Sequence, residues 1–228
     1  MIMIGNRIRS QIKRPSSELI EKFRGIPSSN IGDMMHRLFC MDASIRAMSQ
    51  PPLLGSAITV RLPEGDNVFL HLAMELAQPG DVIVVDGSGC ETRALMGEMM
   101  FTYAKALGIS GFVLDGAIRD VDSLIHLDLP VYARGVTPQG PLKNGGGEIN
   151  YPISCGGQVV RPGDILVGDG DGICVIPQED AESIYTAARE KYEGEQQRLE
   201  EYRKGLLDRA HHAETYESIA RQIRTTYC

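Results

Sequence analysis

The residues of this sequence with the clearest chemical potential are Glu98, Arg119 and Asp120. Arg119 and Asp120 follow a mostly apolar run, 111–118, and Glu98 lies upstream with twenty residues (99–118) between it and Arg119. A guanidinium offers forked hydrogen bonds to carboxylates and oxyanions, and carboxylate oxygens are ligands that Mg²⁺ prefers. At the end of a strand, this set would suit a metal-assisted enzyme that acts on an oxo acid.

Three elements must position these side chains, and the sequence predicts them as one βαβ unit. They are a strand over 82–85, a helix over 97–107 and a second strand over 111–115. The first strand is too apolar to alternate, which is typical of a strand covered on both faces. Because both strands of such a unit end at the same edge of a parallel sheet, where ligands usually bind, we expect the carboxylates to converge there.

The start of the predicted helix adds a second kind of ligand. The backbone N–H groups of Gly97, Glu98 and Met99 have no intrahelical partner, so they can hold a substrate carboxylate with help from the helix dipole. Asp120, assisted by Glu98 through water, could place a hard divalent ion such as Mg²⁺. The sequence therefore predicts cationic, anionic and backbone ligands at one sheet edge.

Each of these residues also has a purely structural interpretation. Asp120 precedes a predicted short helix, and its carboxylate would suit a helix cap. Arg119 can pair with Asp115 or Asp122, and Glu98 can be a first-turn acid that interacts favourably with the helix dipole. Taken singly, the structural interpretation is favoured for all three; their combination favours a site.

The rest of the chain predicts one core domain over 1–178 and a helical extension over 179–228. The extension has a sparse apolar stripe among many charged residues, which suits an oligomer contact. The elements predicted outside the βαβ unit are helices over 16–23, 30–38, 67–76 and 179–204, and strands over 56–62, 159–160, 165–167 and 172–176. A glycine-bearing loop is predicted between the strand that ends at Asp86 and the helix at Gly97.

Composition excludes several classes of protein. The chain has 228 residues, 43% of them hydrophobic, with a formal charge of −7, which argues against broad nucleic-acid binding. Five cysteines, an odd number without a C-x-x-C pair, indicate neither a disulfide framework nor a zinc site. There is no signal-peptide pattern at the start and no apolar stretch of membrane-spanning length. We therefore expect a cytoplasmic protein with no nucleic-acid or membrane partner.

Short motifs follow one another in a fixed order along nearly the whole chain. They are Arg14-Pro15 through Phe23, Pro79-Gly80-Asp81-Val82, Gly97-Glu98, Asp115 through Asp120, Ala133-Arg134-Gly135, Gly147-Glu148-Ile149-Asn150, Pro162-Gly163-Asp164 and Gly168 through Gly172. This ordered series resembles the family of 4-hydroxy-4-methyl-2-oxoglutarate aldolases and the related RraA-like regulators of ribonuclease E activity.

The resemblance implies a fold, an assembly and a site. The fold is of the α/β class, a compact ββα sandwich of the swivelling phosphohistidine-domain type with helical N- and C-terminal elaborations, in homotrimers or dimers of trimers. The aldolases carry an acid, twenty residues and then Arg-Asp, which here fall on Glu98, Arg119 and Asp120, with Glu98 where aspartate is familiar. Glu195 is the match for a late glutamate that a neighbouring subunit supplies.

By the same resemblance, the protein would be a divalent-metal-dependent aldolase that uses Mg²⁺ or Mn²⁺. Asp120, with Glu98, would hold the metal; Arg119 would bind the oxo acid, and the amides of Gly97 to Met99 would hold the pyruvate carboxylate. The substrate would be a small 4-hydroxy-2-oxo acid that yields pyruvate, and oxaloacetate decarboxylation would be a second reaction.

Two other interpretations are open. The stronger is a non-catalytic RraA-like regulator that binds another protein, since that branch of the family resembles this chain almost as well. The weaker is a methyltransferase or nucleotide-binding protein, because a glycine-bearing segment at 84–89 follows a strand. The region after Tyr132 argues against it, since it predicts short strands where further βαβ units are needed.

Overall fold

The structure of the protein is a computed structural model that describes residues 3–49 and 52–223. The chain divides into two compact units, Met1–Arg189 and Glu190–Cys228. Strands occur in the first unit, and they are β1 (Asn6–Ile8), β2 (Arg46–Ala47), β3 (Leu53–Arg61), β4 (Asp81–Ala94), β5 (Gly111–Ile118), β6 (Val131–Val136), β7 (Gly147–Ile149), β8 (Ile153–Cys155), β9 (Gln158–Val160), β10 (Ile165–Asp169) and β11 (Gly172–Ile176).

The helices confirm most of the predicted helical segments, with shifted ends. They are α1 (Ser17–Lys22), α2 (Ser28–Met34), α3 (Val68–Leu76), α4 (Glu98–Ala106), α5 (Val121–Leu124), α6 (Ala181–Arg203) and α7 (Arg209–Gln222). Ser16 caps α1, since its Oγ accepts a hydrogen bond from the backbone N–H of Leu19 at 3.2 Å. Helix α2 ends earlier than predicted because His36 and Arg37 adopt positive φ angles of 55° and 64°. None of the described helices is both long and apolar enough to cross a bilayer.

A nine-stranded mixed sheet forms the centre of the first unit. Its main order is β1-β7-β3-β4-β5-β6-β2, and β10 and β11 join it through β3. The three pairs β3–β4, β4–β5 and β5–β6 are parallel, so the predicted βαβ unit β4-α4-β5 is confirmed. The predicted strands at 159–160 and 165–167 lie in different sheets, because β9 pairs with β8 whereas β10 pairs with β11 and β3.

Strand β4 begins with the apolar run that predicts a central strand, and both of its faces are covered. Ile83 and Val85 join a core with Phe101 of α4 and other helical side chains. Val82 and Val84 point into a second core, which contains side chains of β8 to β11. Alternation along one strand therefore supplies two cores, and the parallel centre of the sheet is held between them.

The predicted loop after Asp86 is wrong, because β4 continues to Ala94. The pairing of β4 with β5 changes register between Asp86 and Cys90 and again between Cys90 and Ala94. Ser88 and Gly89 adopt positive φ angles of 57° and 69°, which accommodates the extra residues as a bulge while the strand stays paired. Sheet pairing extends almost to the start of α4 and brings Gly97 to the end of β5.

Candidate active site

The turn from β4 into α4 lies directly beside the end of β5. The backbone N–H of Arg119 donates to the carbonyl of Met96 at 3.0 Å, and that of Leu95 donates to Ala117 at 2.8 Å. Arg119 and Asp120 follow the last residue of β5, and Glu98 is the first residue of α4. The structure therefore brings the backbones of these three residues together at one sheet edge, and the convergence of the Glu98 and Asp120 carboxylates stays a prediction.

Asp120 caps a helix, but a different one from the helix that the sequence suggests. It stands at the N-cap of α5 in a left-handed conformation, φ 60° and ψ 37°, and its side chain makes no capping hydrogen bond there. Its Oδ2 atom instead accepts a hydrogen bond from the backbone N–H of Glu98 at 3.0 Å, at the start of α4. The carboxylate is thus aimed across the site and stabilised by the α4 dipole.

Gly97 allows this close approach. A Cβ atom at position 97 would lie 2.9 Å from Arg119 Nε and closer still to Asp120 Oδ2. Since real Cβ atoms do not approach other atoms so closely, any side chain here would push the guanidinium and the carboxylate away from the helix start. The glycine that the sequence predicts as part of an amide site therefore also sets the positions of Arg119 and Asp120.

The guanidinium of Arg119 is only loosely paired. Its Nε atom lies 3.6 Å from Asp120 Oδ2, and the two side chains are 44% and 42% exposed. The proposed pairing with Asp115 or Asp122 is wrong: Arg134 Nε is the partner of Asp115 Oδ1, at 2.6 Å. Arg119 therefore keeps hydrogen-bonding capacity for a ligand.

Arg119 and Asp120 line a pocket of about 180 Å³, smaller than the pockets that hold drug-sized ligands. Some of the lining side chains are apolar and include three methionines, and the others are polar or charged. The lining residues are Asn67, His71, Leu95, Met96, Gly97, Met99, Met100, Arg119, Asp120, Pro141 and Lys143. The pocket has the size of a short acid and carries two cationic side chains.

Lys143 and His71 are functional candidates that the sequence did not single out. Lys143 Nζ lies 3.3 Å from Asn67 Oδ1 and 3.3 Å from His71 Nε2. Partial burial, followed by the nearby Lys143 charge, lowers the pKa of His71 below 6.5, so the imidazole is neutral at neutral pH. Asn67 and His71 are four residues apart in a predicted helix, so the sequence already indicated that they share one helix face. That spacing was the signal by which this part of the pocket lining could have been predicted.

Asp66 holds the segment that carries Lys143. Its buried carboxylate accepts hydrogen bonds from the backbone N–H of Val68 at 2.9 Å, Asn144 at 2.6 Å and Gly145 at 3.1 Å. Asp66 precedes Asn67, the N-cap residue of α3, and its bond to Val68 satisfies a backbone N–H at the start of that helix. The other two bonds join the start of α3 to the 143–145 segment, which brings Lys143 beside His71.

Two of the three predicted amide donors remain available. Within the described residues, the N–H groups of Gly97 and Met99 donate to no other group, whereas that of Glu98 is used by Asp120. The start of α4 therefore presents backbone donors next to Arg119, which is a favourable arrangement for an anion.

A comparison of the sequence with protein-family models matches residues 28–175 to the RraA-like model, described as Aldolase/RraA. The chain belongs to the RraA-like family. The resemblance seen in the ordered motifs is thus confirmed, and the mixed α/β architecture agrees with it.

Relatives of this RraA-like chain carry two kinds of name. A protein of Halalkalibacterium halodurans, named "Putative 4-hydroxy-4-methyl-2-oxoglutarate aldolase", is 43% identical over 175 residues, 76% of this chain and 83% of that protein. The solved structure of Streptomyces coelicolor RraAS2, described as an unusual member of the RNase ES inhibitor family, has 28% identity and a TM-score of 0.73, covering 82% and 98% of the two chains. A solved RNA-processing inhibitor RraA of Thermus thermophilis has 28% identity and a TM-score of 0.62, covering 66% and 92%.

Two predicted site residues of the RraA-like chain lie outside the pocket lining. The Glu98 side chain is exposed at the surface, and Glu98 contributes its backbone N–H to Asp120. Glu195 lies in α6, in the second compact unit, where it forms an ion pair with Lys191 at 2.7 Å. The metal role of Glu98 and the catalytic role of Glu195 stay predictions.

The donor set around Asp120 fits a loosely held hard cation. In the described part of the chain, no group of three or more His, Cys, Asp or Glu side chains is arranged to bind a metal. Asp120 makes its hydrogen bond through Oδ2, and its Oδ1 atom remains for another ligand. Mg²⁺ is often bound through one or two carboxylates while it keeps several waters, so one such oxygen with substrate oxygens meets its needs.

Proposed function

We propose that this RraA-like protein is a divalent-metal-dependent aldolase that cleaves a 4-hydroxy-2-oxo acid and releases pyruvate. The observation that carries the proposal is the pocket, which gathers Arg119, Lys143, the half-exposed carboxylate of Asp120 and a neutral His71 at the start of α4. The name of the relative from Halalkalibacterium halodurans supports the same reaction class. We propose 4-hydroxy-4-methyl-2-oxoglutarate as the substrate to test first.

The charges of the pocket suit an acid with more than one anionic group. Arg119 offers a planar fork to a carboxylate or enolate, and Lys143 offers a point charge. The amides of Gly97 and Met99 add neutral donors at the positive end of the α4 dipole. A dicarboxylic 2-oxo acid would satisfy these donors together, whereas an apolar ligand would leave them without partners.

The reaction follows from where charge develops. When the 4-hydroxyl group loses its proton, C4 becomes a carbonyl and the C3–C4 bond breaks. The electrons of that bond pass to the C2 carbonyl as the enolate of pyruvate, which is then protonated at C3. Arg119 would stabilise the enolate oxygen, a charge that grows only as cleavage proceeds, so its loss should lower kcat more than it raises KM. His71 lines the pocket in the neutral form that can accept a proton.

Asp120, with Glu98 through water, would hold Mg²⁺ or Mn²⁺ in this proposal. When bound, such an ion supplies Lewis-acid polarisation of the 2-oxo carbonyl. Oxaloacetate is a second candidate substrate, because loss of carbon dioxide from it leaves the same pyruvate enolate for Arg119 to stabilise.

For the fold and the assembly, we propose a ββα sandwich of the swivelling phosphohistidine type in trimers or dimers of trimers. The active site would lie at a subunit boundary, with Glu195 supplied by a neighbouring subunit. A folded monomeric variant should then be inactive, and light scattering together with the pyruvate assay would check this. A fully active monomer would contradict it.

A non-catalytic regulator is the alternative, and the similarity to the two solved RraA proteins, described as an RNA-processing inhibitor and a member of the RNase ES inhibitor family, favours it. The observation that supports catalysis is that the pocket has both its cations and its half-exposed carboxylate. A surface that only binds a protein partner has no need for a neutral histidine beside a lysine in a small pocket.

The test is pyruvate release from 4-hydroxy-4-methyl-2-oxoglutarate and from oxaloacetate, with Mg²⁺, with Mn²⁺ and with excess chelator. Wild type, Asp120→Ala and the matched control Asp122→Ala should be compared, since Asp122 is an exposed carboxylate outside the pocket lining. We expect metal-dependent release that is lost in Asp120→Ala and kept in Asp122→Ala. No release by the wild type under any condition would favour the regulator.

A further inference from the structure

Cys40 and Cys174 face each other across an isolated antiparallel bridge, far from the pocket in the chain. The backbone hydrogen bonds that flank the bridge run from Met41 N to Ile173 O, 2.9 Å, and from Val175 N to Phe39 O, 3.0 Å. This pattern makes the two cysteines a non-hydrogen-bonded pair, in which the Cα atoms of an antiparallel ladder lie closest, about 4.5 Å apart. Disulfides span Cα distances from about 4.4 to 6.8 Å, so the register suits a bridge.

The two sulfur atoms are already close. Cys40 Sγ lies 3.7 Å from Cys174 Sγ, so side-chain rotation can bring them to bonding distance, about 2.05 Å, without a change of backbone register. Gly32 of α2 leaves the room for this, because a Cβ atom there would lie 2.7 Å from Cys40 Sγ. The space that the Cys40 thiol occupies therefore depends on a glycine in the neighbouring helix.

The two thiols differ in their access to solvent. Cys40 is exposed, whereas Cys174 is 2% exposed and its Sγ–H donates to the carbonyl of Ser28 at 3.2 Å. We propose that Cys40 and Cys174 are a redox-modification site that a peroxide converts into an intramolecular disulfide, with Cys40 reacting first and Cys174 resolving. The proposal is independent of the aldolase reaction, because neither cysteine lines the pocket.

The chemistry balances with one peroxide molecule. The Cys40 thiolate attacks an oxygen of hydrogen peroxide, the O–O bond breaks, and Cys40 sulfenic acid and water form. The Cys174 sulfur then attacks the Cys40 sulfur, the S–O bond breaks, and a second water leaves with the proton of Cys174. Two thiols have been oxidised by two electrons and the peroxide has been reduced to two waters.

Burial of Cys174 predicts the pH dependence of the second step. Burial, then the neighbouring Cys40 and then the Asp169 carboxylate of β10 raise the pKa of the Cys174 thiol, because each disfavours its thiolate. Ring closure should therefore become faster as the pH rises through the alkaline range. A rate of closure that is independent of pH between 7 and 9 would contradict the assignment of Cys174 as the resolving thiol.

The disulfide should stabilise the first unit. It would close a loop of more than a hundred residues, and a bond of that span is expected to raise Tm by about 5 to 10 °C. The rise should disappear when a thiol reductant is added, since reduction restores both free cysteines.

The experiment uses the full chain with Cys228→Ser, which removes the C-terminal cysteine as a competitor. The protein is treated with one equivalent of hydrogen peroxide, the remaining thiols are alkylated, and non-reduced peptides are analysed by mass spectrometry. We expect one peptide pair linking residues 40 and 174, lighter by two hydrogens and reversed by dithiothreitol. Its yield should be lost in Cys40→Ser and retained in Cys90→Ser, the control at another buried cysteine.

Two products of the peroxide treatment would overturn the proposal. One is oxidation of Cys40 to sulfinic acid without a link to Cys174, and the other is a disulfide between two chains through Cys40. Because Cys40 is exposed, Cys40→Ser should fold normally, and its unchanged Tm before and after peroxide treatment provides a second readout. A peroxide-dependent rise in Tm in Cys40→Ser equal to that of the parent chain would also refute the assignment.

Discussion

Two aspartate–arginine pairs have their aspartates within or just after β5, and the pairs differ in distance, burial and hydrogen bonding. Asp115 and Arg134 are 12% and 24% exposed and lie 2.6 Å apart. Both oxygens of Asp115 are used, since Oδ2 accepts a hydrogen bond from the backbone N–H of Gly156 at 2.8 Å. Asp120 and Arg119 are 42% and 44% exposed and lie 3.6 Å apart.

The comparison separates a pair that builds the fold from a pair that can act on a ligand. Arg134 also donates to Ser44 Oγ at 2.7 Å, and its pKa is raised by its hydrogen bond to Asp115, so its charge is held in place by the protein. Arg119 has a distant partner, is 44% exposed and lines a pocket, so its guanidinium can form hydrogen bonds with a ligand. A loosely paired charge that lines a pocket is therefore a better indication of function than a tightly paired, buried one.

The largest expected effect comes from removing the loosely paired guanidinium. Arg119→Ala should lower turnover in the pyruvate-release assay by about 100- to 1000-fold, the usual cost of losing a group that stabilises an oxyanion. Its KM should change little, because the lost interaction is strongest in the transition state. Steady-state kinetics would measure both. Arg134→Ala is the matched control and should retain near-normal turnover per folded molecule. Equal losses of turnover in Arg119→Ala and Arg134→Ala would contradict the distinction between a functional and a structural pair.

The next largest effect is a loss of protein stability when the Asp115–Arg134 pair is broken. Asp115→Asn should lower the free energy of unfolding by about 2–3 kcal/mol, because it leaves the Arg134 charge partly buried without its partner. For a chain of this size that corresponds to a decrease of roughly 4–12 °C in Tm. Asp120→Asn should cost less than about 1 kcal/mol, since asparagine also accepts a helix-capping hydrogen bond. Thermal unfolding of both variants checks the contrast, which fails if the two decreases are the same.

A single methyl group should disturb the loose pair. Gly97→Ala places its Cβ atom 2.9 Å from Arg119 Nε, so the guanidinium and Asp120 must move away from the start of α4. We expect turnover to fall by about tenfold or more, since small displacements of catalytic groups are costly. Gly170→Ala is the matched control, because it has a negative φ and no atom within 4 Å of its Cβ position. Normal turnover in Gly97→Ala would show that the close approach is not required.

The smallest effect is a change in the pKa of His71. Lys143→Met should raise this pKa only partly and leave it below 6.5, because burial is the larger cause of its decrease and Lys143 the smaller. NMR titration of the imidazole protons would measure it, with His71→Asn to assign the signal. A pKa at or above 6.5 in the variant would show that Lys143, not burial, dominates.

The same pKa has a consequence for stability. Because the folded pKa of His71 lies below 6.5, the unfolded chain takes up a proton first as the pH falls. The contribution of His71 to stability is therefore complete above pH 6.5 and is lost as the pH falls through the folded pKa. His71→Asn should flatten this part of the profile of unfolding free energy against pH.

The sequence predicted secondary structure correctly where the pattern of neighbouring residues determines it. The run at 82–85 predicts a strand covered on both faces, and the structure confirms it with two cores. Gly97 and Gly108 predict the limits of α4, which spans Glu98–Ala106. The segment after Asp86 misled the prediction, because its glycines lie in a bulged strand that the pairing with β5 keeps extended.

The amino-acid sequence by itself determined the family, the central βαβ unit and the adjacency of Arg119 and Asp120, because local periodicity, glycine positions and ordered motifs are properties of the chain. Only the tertiary structure decided which aspartate would be used up in a tight ion pair and which would line a pocket. It also brought Lys143 to His71 through the buried carboxylate of Asp66, across more than seventy residues of chain. Such contacts depend on how distant segments pack and on the water they exclude, and no local pattern encodes them.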